Sequence, residues 1–221
     1  SGNHKTSKGE ARGYITYGLH LAPANLSGQN VCPNASKGCA EACLNTAGRG
    51  TMNGVQQARI RKTKEWFEDK YEFVSRLTQD VTRGINRALK KNINACFRLN
   101  LTSDIHWENY GIIEKFPDYQ FYDYTKSIKR MQRFLTNQLP ANYHLTFSRS
   151  EETNLNIIKA IVTIGGNVAV VFDQLPKEWE GMEVINGDLD DLRFKDPCGK
   201  IVGLQAKGKA KHDESGFVVK I

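Results

Sequence analysis

The sequence predicts an α/β fold in which parallel βα repeats form a partial (βα)6-like barrel or a curved sheet. Two observations support this prediction. Four apolar, β-prone runs begin at Ala95, Tyr119, Tyr143 and Asn167, so that their starts are 24 residues apart each time. Between these runs, apolar residues recur at helical spacing. Strands that alternate with helices pair in parallel through right-handed crossovers. About six such units are too few to close an eight-stranded barrel.

The first predicted strand covers residues 14–22, where β-prone residues alternate. A loop over residues 28–50 follows this strand directly. The next two segments, 53–68 and 72–91, have the apolar periodicity of helices. In the second of them, four apolar residues recur every four positions, namely Phe73, Leu77, Val81 and Ile85. We therefore expect the loop to lie between the first strand and a pair of helices.

The remaining elements are shorter. Helices are predicted over residues 107–115, 127–137 and 154–164, and the last of them ends at Gly165. Two further strands are predicted near residues 182–186 and 201–206, and an apolar run over residues 217–221 ends the sequence.

The composition indicates an ordinary globular protein. At 221 residues, of which 39% are hydrophobic, the chain can bury a sizeable core. We expect one α/β domain over residues 14–221 and a disordered segment over residues 1–13. No apolar run is long enough to span a bilayer, and residues 1–13 lack the apolar core of a signal peptide. We therefore expect no membrane contact and a cytoplasmic location.

Three of the five cysteines lie close together in the loop over residues 28–50. Cys32, Cys39 and Cys43 have the spacing C-x6-C-x3-C. Thiolates are preferred ligands of iron–sulfur clusters and of zinc, but a structural zinc ion usually has four protein ligands. We therefore predict that these cysteines hold a [4Fe-4S] cluster with one open iron. The alternatives are a zinc ion with a remote His or Cys ligand and three buried thiols without a metal.

The other two cysteines have different contexts. Cys96 lies inside a predicted strand between Ala95 and Phe97, which predicts a core thiol. Cys198 follows Pro197 in a predicted turn, and it is the best protein candidate for a fourth cluster ligand.

Polar residues follow every predicted strand. In parallel α/β folds the carboxyl ends of the strands carry the working residues. We therefore expect a small polar ligand to bind at this edge, beside the cysteine loop. The predicted ligand-binding residues are Asn100, Ser103, Asp104, Asp123, Lys126, Ser148 and Glu151. Each has a structural alternative, since Ser103 and Asp104 precede a helical pattern as caps would, and Asp123 could form an ion pair with Lys126.

The order of a strand, a three-cysteine loop and successive βα units resembles the radical S-adenosylmethionine (SAM) enzymes. This resemblance implies a [4Fe-4S] cluster whose open iron binds SAM. The cysteine spacing differs from the usual C-x3-C-x2-C of those enzymes, and Ala42 stands where they have an aromatic residue. Residues 100–104 replace their Gly-Gly-Glu element after the second strand.

Several longer motifs resemble the mycobacteriophage gene product 88 family. They are CPNASKGCAEACLNTAGRG, ARIRKT, RLNLTSDI, FYDYTK, NYHLTFSRSE, NVAVVF, NGDLDDLRF and IVGLQAKGKA, and they extend over most of the chain. The resemblance implies a phage origin, and therefore the cytoplasm of the infected host as the location.

The net charge of +7 permits a second function, in which the chain binds or processes nucleic acid during phage replication and the metal is structural. Basic residues cluster at 58–64, 87–91, 127–133 and 207–211. On this hypothesis the strand-end aspartates could hold Mg²⁺, and Tyr122 or Tyr124 could act as a nucleophile. A third hypothesis is a redox or regulatory protein without catalytic activity.

Overall fold

The computed structural model describes residues 8–221. These residues form nine strands, five α-helices and several 3-10 turns. The strands are β1 (Tyr14–Gly18), β2 (Asn94–Arg98), β3 (Gln120–Thr125), β4 (Tyr143–Ser148), β5 (Val168–Phe172), β6 (Glu178–Trp179), β7 (Met182–Asn186), β8 (Ile201–Gln205) and β9 (Val218–Val219). The helices are α1 (Lys37–Glu41), α2 (Asn53–Glu68), α3 (Lys70–Lys90), α4 (Ile128–Leu135) and α5 (Leu155–Thr163).

The strands form one mostly parallel sheet. Its order is β1-β2-β3-β4-β5-β8-β7-β6, and β9 pairs with β5. All these pairs are parallel except β6–β7, which is an antiparallel hairpin. Because β1 and β6 are the two ends of this order, the sheet is open and does not close into a barrel. The predicted α/β class and parallel pairing are therefore confirmed.

The two faces of the sheet are covered differently. Side chains alternate between the faces along each strand, and the register aligns Phe97 with Phe121 and Phe121 with Tyr143. These residues belong to the main core, which also contains the apolar stripe of α3. On the opposite face, Cys96 and Tyr122 pack against Leu192. The fully buried Cys96 is thus a core thiol, as the sequence predicted.

The long helix α3 follows from local sequence signals. The Asp69 side chain caps the helix by accepting a hydrogen bond from the Glu72 amide. Its apolar residues at intervals of four lie on one buried face. Gly84 lets this face approach the sheet closely, since a Cβ atom there would lie 3.2 Å from the rings of both Phe97 and Tyr17.

Two predicted boundaries were wrong. β1 ends at Gly18 rather than at residue 22. The helix predicted over 107–115 is a single 3-10 turn, Trp107–Tyr110, because Gly111 adopts a left-handed conformation with φ of 66° and ends it. Of the apolar run over residues 217–221, only Val218–Val219 pairs as a strand.

The structure describes part of the segment that was expected to be disordered, residues 1–13. Residues 1–7 lie outside the described residues. Lys8–Arg12 form a 3-10 helix, and the Arg12 guanidinium forms an ion pair with Asp190. This ion pair joins the segment to the connection between β7 and β8, so that residues 8–12 have a defined position.

Candidate metal centre

The cysteine loop contains a short helix with a clear local cause. The Ser36 hydroxyl accepts a hydrogen bond of 3.2 Å from the Cys39 amide and so caps α1. Cys32 precedes the helix, and its amide donates to Asn30 Oδ1 at 2.7 Å. Cys43 follows the helix and begins a second turn over Leu44–Thr46. The helix thus separates Cys32 from Cys43 and carries Cys39 between them.

Backbone contacts hold this loop at the carboxyl edge of the parallel strands. The Asp104 amide donates to the Val31 carbonyl at 2.9 Å, and the Thr102 hydroxyl donates to the Leu21 carbonyl at 2.6 Å. The Cys32 sulfur lies 3.6 Å from the Thr102 carbonyl oxygen. The loop after β1 and the loop after β2 are therefore directly in contact.

Glu151, beyond the end of β4, joins the same edge through α1. Its carboxylate accepts hydrogen bonds from the Ser36 hydroxyl at 2.7 Å and from the Gly38 amide at 2.8 Å. Burial opposes ionisation of this carboxyl, but these hydrogen bonds outweigh burial and its pKa is lowered. A Cβ atom on Gly38 would lie 2.1 Å from Ser215 Oγ and 2.8 Å from Glu151 Oε1, so a larger residue there would displace these side chains. Glu151 therefore orients the helix that carries Cys39.

Lys126 lies at the end of β3 beside Cys39. Its ammonium group donates to the Ser148 carbonyl at 3.2 Å, the Ser148 hydroxyl at 3.1 Å and the Arg149 carbonyl at 2.9 Å. Its positive charge also acts on the Cys39 thiol. Burial lowers the pKa of Lys126, and the neighbouring Cys39, Asp104 and Glu151 oppose that shift. Lys126, Glu151 and Asp104 are thus the predicted site residues whose charges influence the Cys39 thiol.

The three loop thiols share one electrostatic environment. Burial raises the pKa of each, and that of Cys32 to about 12. The thiols also influence one another, since Cys43 and Cys39 raise the pKa of Cys32. The ammonium of Lys126 opposes the shift at Cys39, and the guanidinium of Arg59 opposes it at Cys43. Because their pKa values are raised, all three groups are neutral thiols at neutral pH unless they bind a metal.

The donor set can be compared with what a metal requires. Three sulfur donors lie on one loop and two cations influence them, which suits an anionic thiolate-bound cluster. Within residues 8–221, however, no group of three or more His, Cys, Asp or Glu side chains is arranged to hold a metal ion. A zinc ion would require all its ligands within one coordination sphere, whereas the cysteines of a cluster each bind a different iron.

Cys198 does not join this centre. It lies in the turn before β8, and the adjacent Gly199 amide donates to the Gly165 carbonyl, just before β5. Both positions are at the amino ends of parallel strands. The cysteine loop is at the carboxyl ends. The expectation that Cys198 could be the fourth ligand is therefore wrong, because the sheet separates the two edges.

Asn100 and Ser103 organise the loop after β2. Asn100 Oδ1 accepts hydrogen bonds from the Ser103 hydroxyl at 2.8 Å, the Ile105 amide at 2.9 Å and the Trp107 indole at 3.1 Å. The Asn100 amide donates to Asp123 Oδ1 at 2.7 Å. Both residues therefore have internal partners, and we expect their contribution to be the shape of the edge.

Asp123 is buried on the helix-facing side of the sheet. The Tyr143 hydroxyl donates to its Oδ2 at 2.8 Å. Burial raises the pKa of Asp123 to about 7, although Arg130 and the Asn100 amide oppose the shift. With 1% of its surface exposed, Asp123 offers no face to a ligand. We expected Asp123 to line the ligand pocket. Side chains alternate between the two faces of β3, and this alternation places Asp123 in the core instead.

Arg130 was not singled out from the sequence. Its guanidinium donates to Glu108 at 3.0 and 2.8 Å and to Asp104 Oδ1 at 3.0 Å. Asp104 Oδ2 in turn accepts from the Lys126 amide at 3.0 Å. A buried arginine in α4 therefore fixes the predicted site residue Asp104 and, through it, the backbone of Lys126. In the sequence, Arg130 lies within a run of basic residues, and nothing there indicated that it would be buried and hold Asp104.

Two cavities lie beside this edge. The larger, of about 490 Å³, borders Cys43 through Ala42 and is lined by Glu41, Ala42, Lys209, His212, Asp213, Glu214 and Ser215. The second, of about 460 Å³, shares Asp213 and Glu214 with it.

The features proposed for nucleic-acid chemistry are only partly exposed. In the basic clusters, Arg59 and Arg130 are buried. Tyr122 is fully buried, and burial raises the pKa of Tyr124 to about 12. Tyr122 is therefore not placed to act as a nucleophile, and the raised pKa of Tyr124 opposes that role at neutral pH. Contact of the exposed lysines and arginines with nucleic acid stays a prediction.

An open, mostly parallel α/β sheet that carries a three-cysteine loop at its carboxyl edge defines the class of this protein. The chain belongs to the gene product 88 family, whose profile matches residues 1–221. Membership of this family supports a bacteriophage origin. The comparisons with curated proteins and with solved structures returned no match. No helix among residues 8–221 is long and apolar enough to cross a bilayer.

Proposed function

We propose that this protein is an iron–sulfur protein in which Cys32, Cys39 and Cys43 hold a [4Fe-4S] cluster with one open iron. One observation carries the proposal: three loop thiols at the carboxyl edge of a parallel sheet influence one another's pKa and have cations beside them. Three cysteine ligands leave one iron of such a cluster available to a ligand. SAM is the candidate for that position, by the resemblance of the layout to the radical SAM enzymes.

The surrounding residues would support the thiolates in separate ways. Lys126 places a positive charge beside Cys39, and Arg59 places one beside Cys43. Each charge favours the deprotonated sulfur that a metal requires. Glu151 fixes the helix that carries Cys39. Asp104 and Asn100 hold the loop that contacts Cys32. When bound, a reduced cluster of this kind supplies a single electron.

Cysteine substitution tests the proposal. Cys32→Ala, Cys39→Ala and Cys43→Ala each remove one thiolate, and within the described chain no other cysteine lies at this edge. We expect each variant to lose most of its iron and sulfide after anaerobic reconstitution. Cys96→Ala and Cys198→Ala are matched controls and should keep wild-type contents. Full iron and sulfide in all three loop variants would show that the cysteines are not ligands.

A further inference from the structure

The segment over residues 213–221, which we call the strap, lies at the carboxyl edge of the sheet beside the cysteine loop. It contains the short strand β9, which pairs with the last two residues of β5. β8 occupies one side of β5 along its whole length, and β4 pairs with the other side only as far as Ala169. The strap therefore lies on the β4 side of β5, beyond the point where β4 ends.

The strap covers two residues of the candidate site. Its buried residues Phe217 and Val218 are 8% and 4% exposed, and they form a small apolar cluster with Ala42, Ala206 and Ala210. Cys39 packs against this cluster. The Phe217 ring also lies 5.1 Å from Lys126 Nζ. One small cluster thus adjoins both the cysteine and the lysine.

Few hydrogen bonds attach the strap to the rest of the molecule. Arg149 Nη1, from the loop after β4, donates to the carbonyl oxygens of Gly216 and Phe217 at 2.8 and 2.9 Å. The Asp173 amide donates to the Val219 carbonyl at 3.1 Å. The strap is therefore held mainly by one arginine, one short strand and the apolar cluster.

The first part of the strap is a turn that holds itself together. The Asp213 carboxylate accepts hydrogen bonds from the Ser215 hydroxyl at 2.7 Å and from the Val218 amide at 2.9 Å. These bonds lie within the strap, so they are kept when it moves as a unit. Asp213 and Glu214 also line both cavities. The turn therefore has open space on two sides.

The strap differs from the neighbouring strand β8 in how firmly it is held. β8 is paired on both sides, with β5 and β7, and its first three residues are buried. Most of the strap is exposed, namely residues 214–216 and 220–221. Segments with few buried apolar side chains and exposed backbone hydrogen bonds open at a lower free energy than the core does. The strap can therefore open while β8 stays paired.

We propose that the strap is a lid that closes over Cys39 and Lys126 and opens to admit a small polar ligand to this edge. When the strap is closed, Phe217 and Val218 fill the space beside these two side chains. When it opens, the apolar cluster is broken and both side chains become accessible. The lid does not depend on the proposed cluster, because the groups that it covers belong to the protein itself.

Thiol alkylation of the iron-free, full-length chain tests the lid. Iodoacetamide is added under native conditions, and mass spectrometry of peptides gives the rate at each cysteine. Two cysteines are internal references, since Cys198 is exposed and Cys96 is buried in the core. We expect Cys39 in the wild type to react more slowly than Cys198 and faster than Cys96, because it reacts when the strap opens.

Substitutions in and beside the strap should change the rate at Cys39 alone. Phe217→Ala should raise it at least about tenfold, because the open form becomes more populated. Arg149→Gln removes two hydrogen bonds and should raise it about three- to tenfold. Lys220→Gln changes an exposed strap residue and is the matched control, with the wild-type rate. Cys96 should stay protected in all three variants.

Hydrogen exchange of the same proteins gives a second measurement that does not depend on thiol chemistry. The amides of residues 213–221 should exchange faster than those of β8 in the wild type, and faster still in Phe217→Ala.

Three outcomes would overturn the proposal. They are an unchanged rate at Cys39 in Phe217→Ala, a parallel rise at Cys39 and Cys96 in both strap-loosening variants, or strap amides that exchange as slowly as those of β8. A parallel rise would show that the strap opens only with the whole molecule. Neither measurement requires iron, so failure of the lid and failure of the cluster can be told apart.

Discussion

Glu151 shows how one side chain can position a cysteine that it does not touch. It comes from the end of β4, and its two hydrogen bonds fix the first turn of α1, within which Cys39 lies. A carboxylate at this place also satisfies an amide at the start of the helix, which would otherwise lack a partner. The position of Cys39 therefore depends on a residue more than a hundred positions away in the sequence.

Glu151→Gln should weaken this connection. We expect a loss of about 1 kcal/mol in the free energy of unfolding at neutral pH, because a charge-assisted acceptor is replaced by a neutral one on a partly exposed group. The lowered pKa of Glu151 means that its contribution is present above the usual value of 4.5 and is lost as the pH falls below it. Denaturant unfolding at several pH values measures both effects.

The adjacent Glu152→Gln is the matched control, since Glu152 is exposed and loses the same charge. If both variants changed stability equally at every pH, Glu151 would have no special role in holding α1.

At the scale of an element, α4 connects the loops after β2 and β3 through Arg130. This guanidinium is fully buried and contacts Asp104, Glu108 and Tyr143. Buried ion pairs add little net stability, but removing one partner leaves the others charged and unpaired. The helix therefore matters to the site through one side chain rather than through its whole surface.

Arg130→Met should cost about 3–5 kcal/mol of unfolding free energy, because Glu108 and Asp104 lose their cation in a buried setting. The exposed neighbour Lys129 provides the control variant Lys129→Met, which should be within experimental error of wild type. Thermal or denaturant unfolding distinguishes them. A small effect of Arg130→Met would mean that water replaces the guanidinium and that the network is not buried in solution.

Elements differed in how well the sequence predicted them. The regular spacing of apolar runs predicted β2 to β5 because each strand contributes alternate residues to a buried face. The helix predicted over residues 107–115 does not form, because the Trp107 indole donates to Asn100 and Gly111 ends the turn. The spacing of apolar residues carries no information about either feature. The hairpin β6–β7 was also missed in part, because β6 has only two residues.

The sequence predicted several residues of the candidate site, but it did not predict what each of them contacts. Parallel strands explain why Cys39, Lys126 and Glu151 meet at one edge. Strand parity could have placed Asp123 on the helix-facing side, because it is two residues from the core residue Phe121. Nothing in the sequence distinguished Arg59 or Arg130 from exposed basic residues, since their burial depends on tertiary packing.

For the whole molecule, the distribution of charge changes the interpretation of the net charge of +7. Arg59, Arg98, Arg130 and Arg193 are buried, and the last three form ion pairs. Part of the positive charge therefore lies in the interior of the protein and at the edge beside the cysteines. The molecule is best understood as an open sheet whose carboxyl edge combines three thiols with a set of cations.

The central claim is that this edge holds an iron–sulfur cluster. The most direct measurement is the ultraviolet–visible spectrum of the anaerobically purified chain, recorded before and after addition of dithionite. We predict a broad visible absorption that dithionite bleaches and that is absent from a variant lacking Cys32, Cys39 and Cys43. A colourless wild-type protein after anaerobic reconstitution with iron and sulfide, or the same absorption in the triple variant, would contradict the claim.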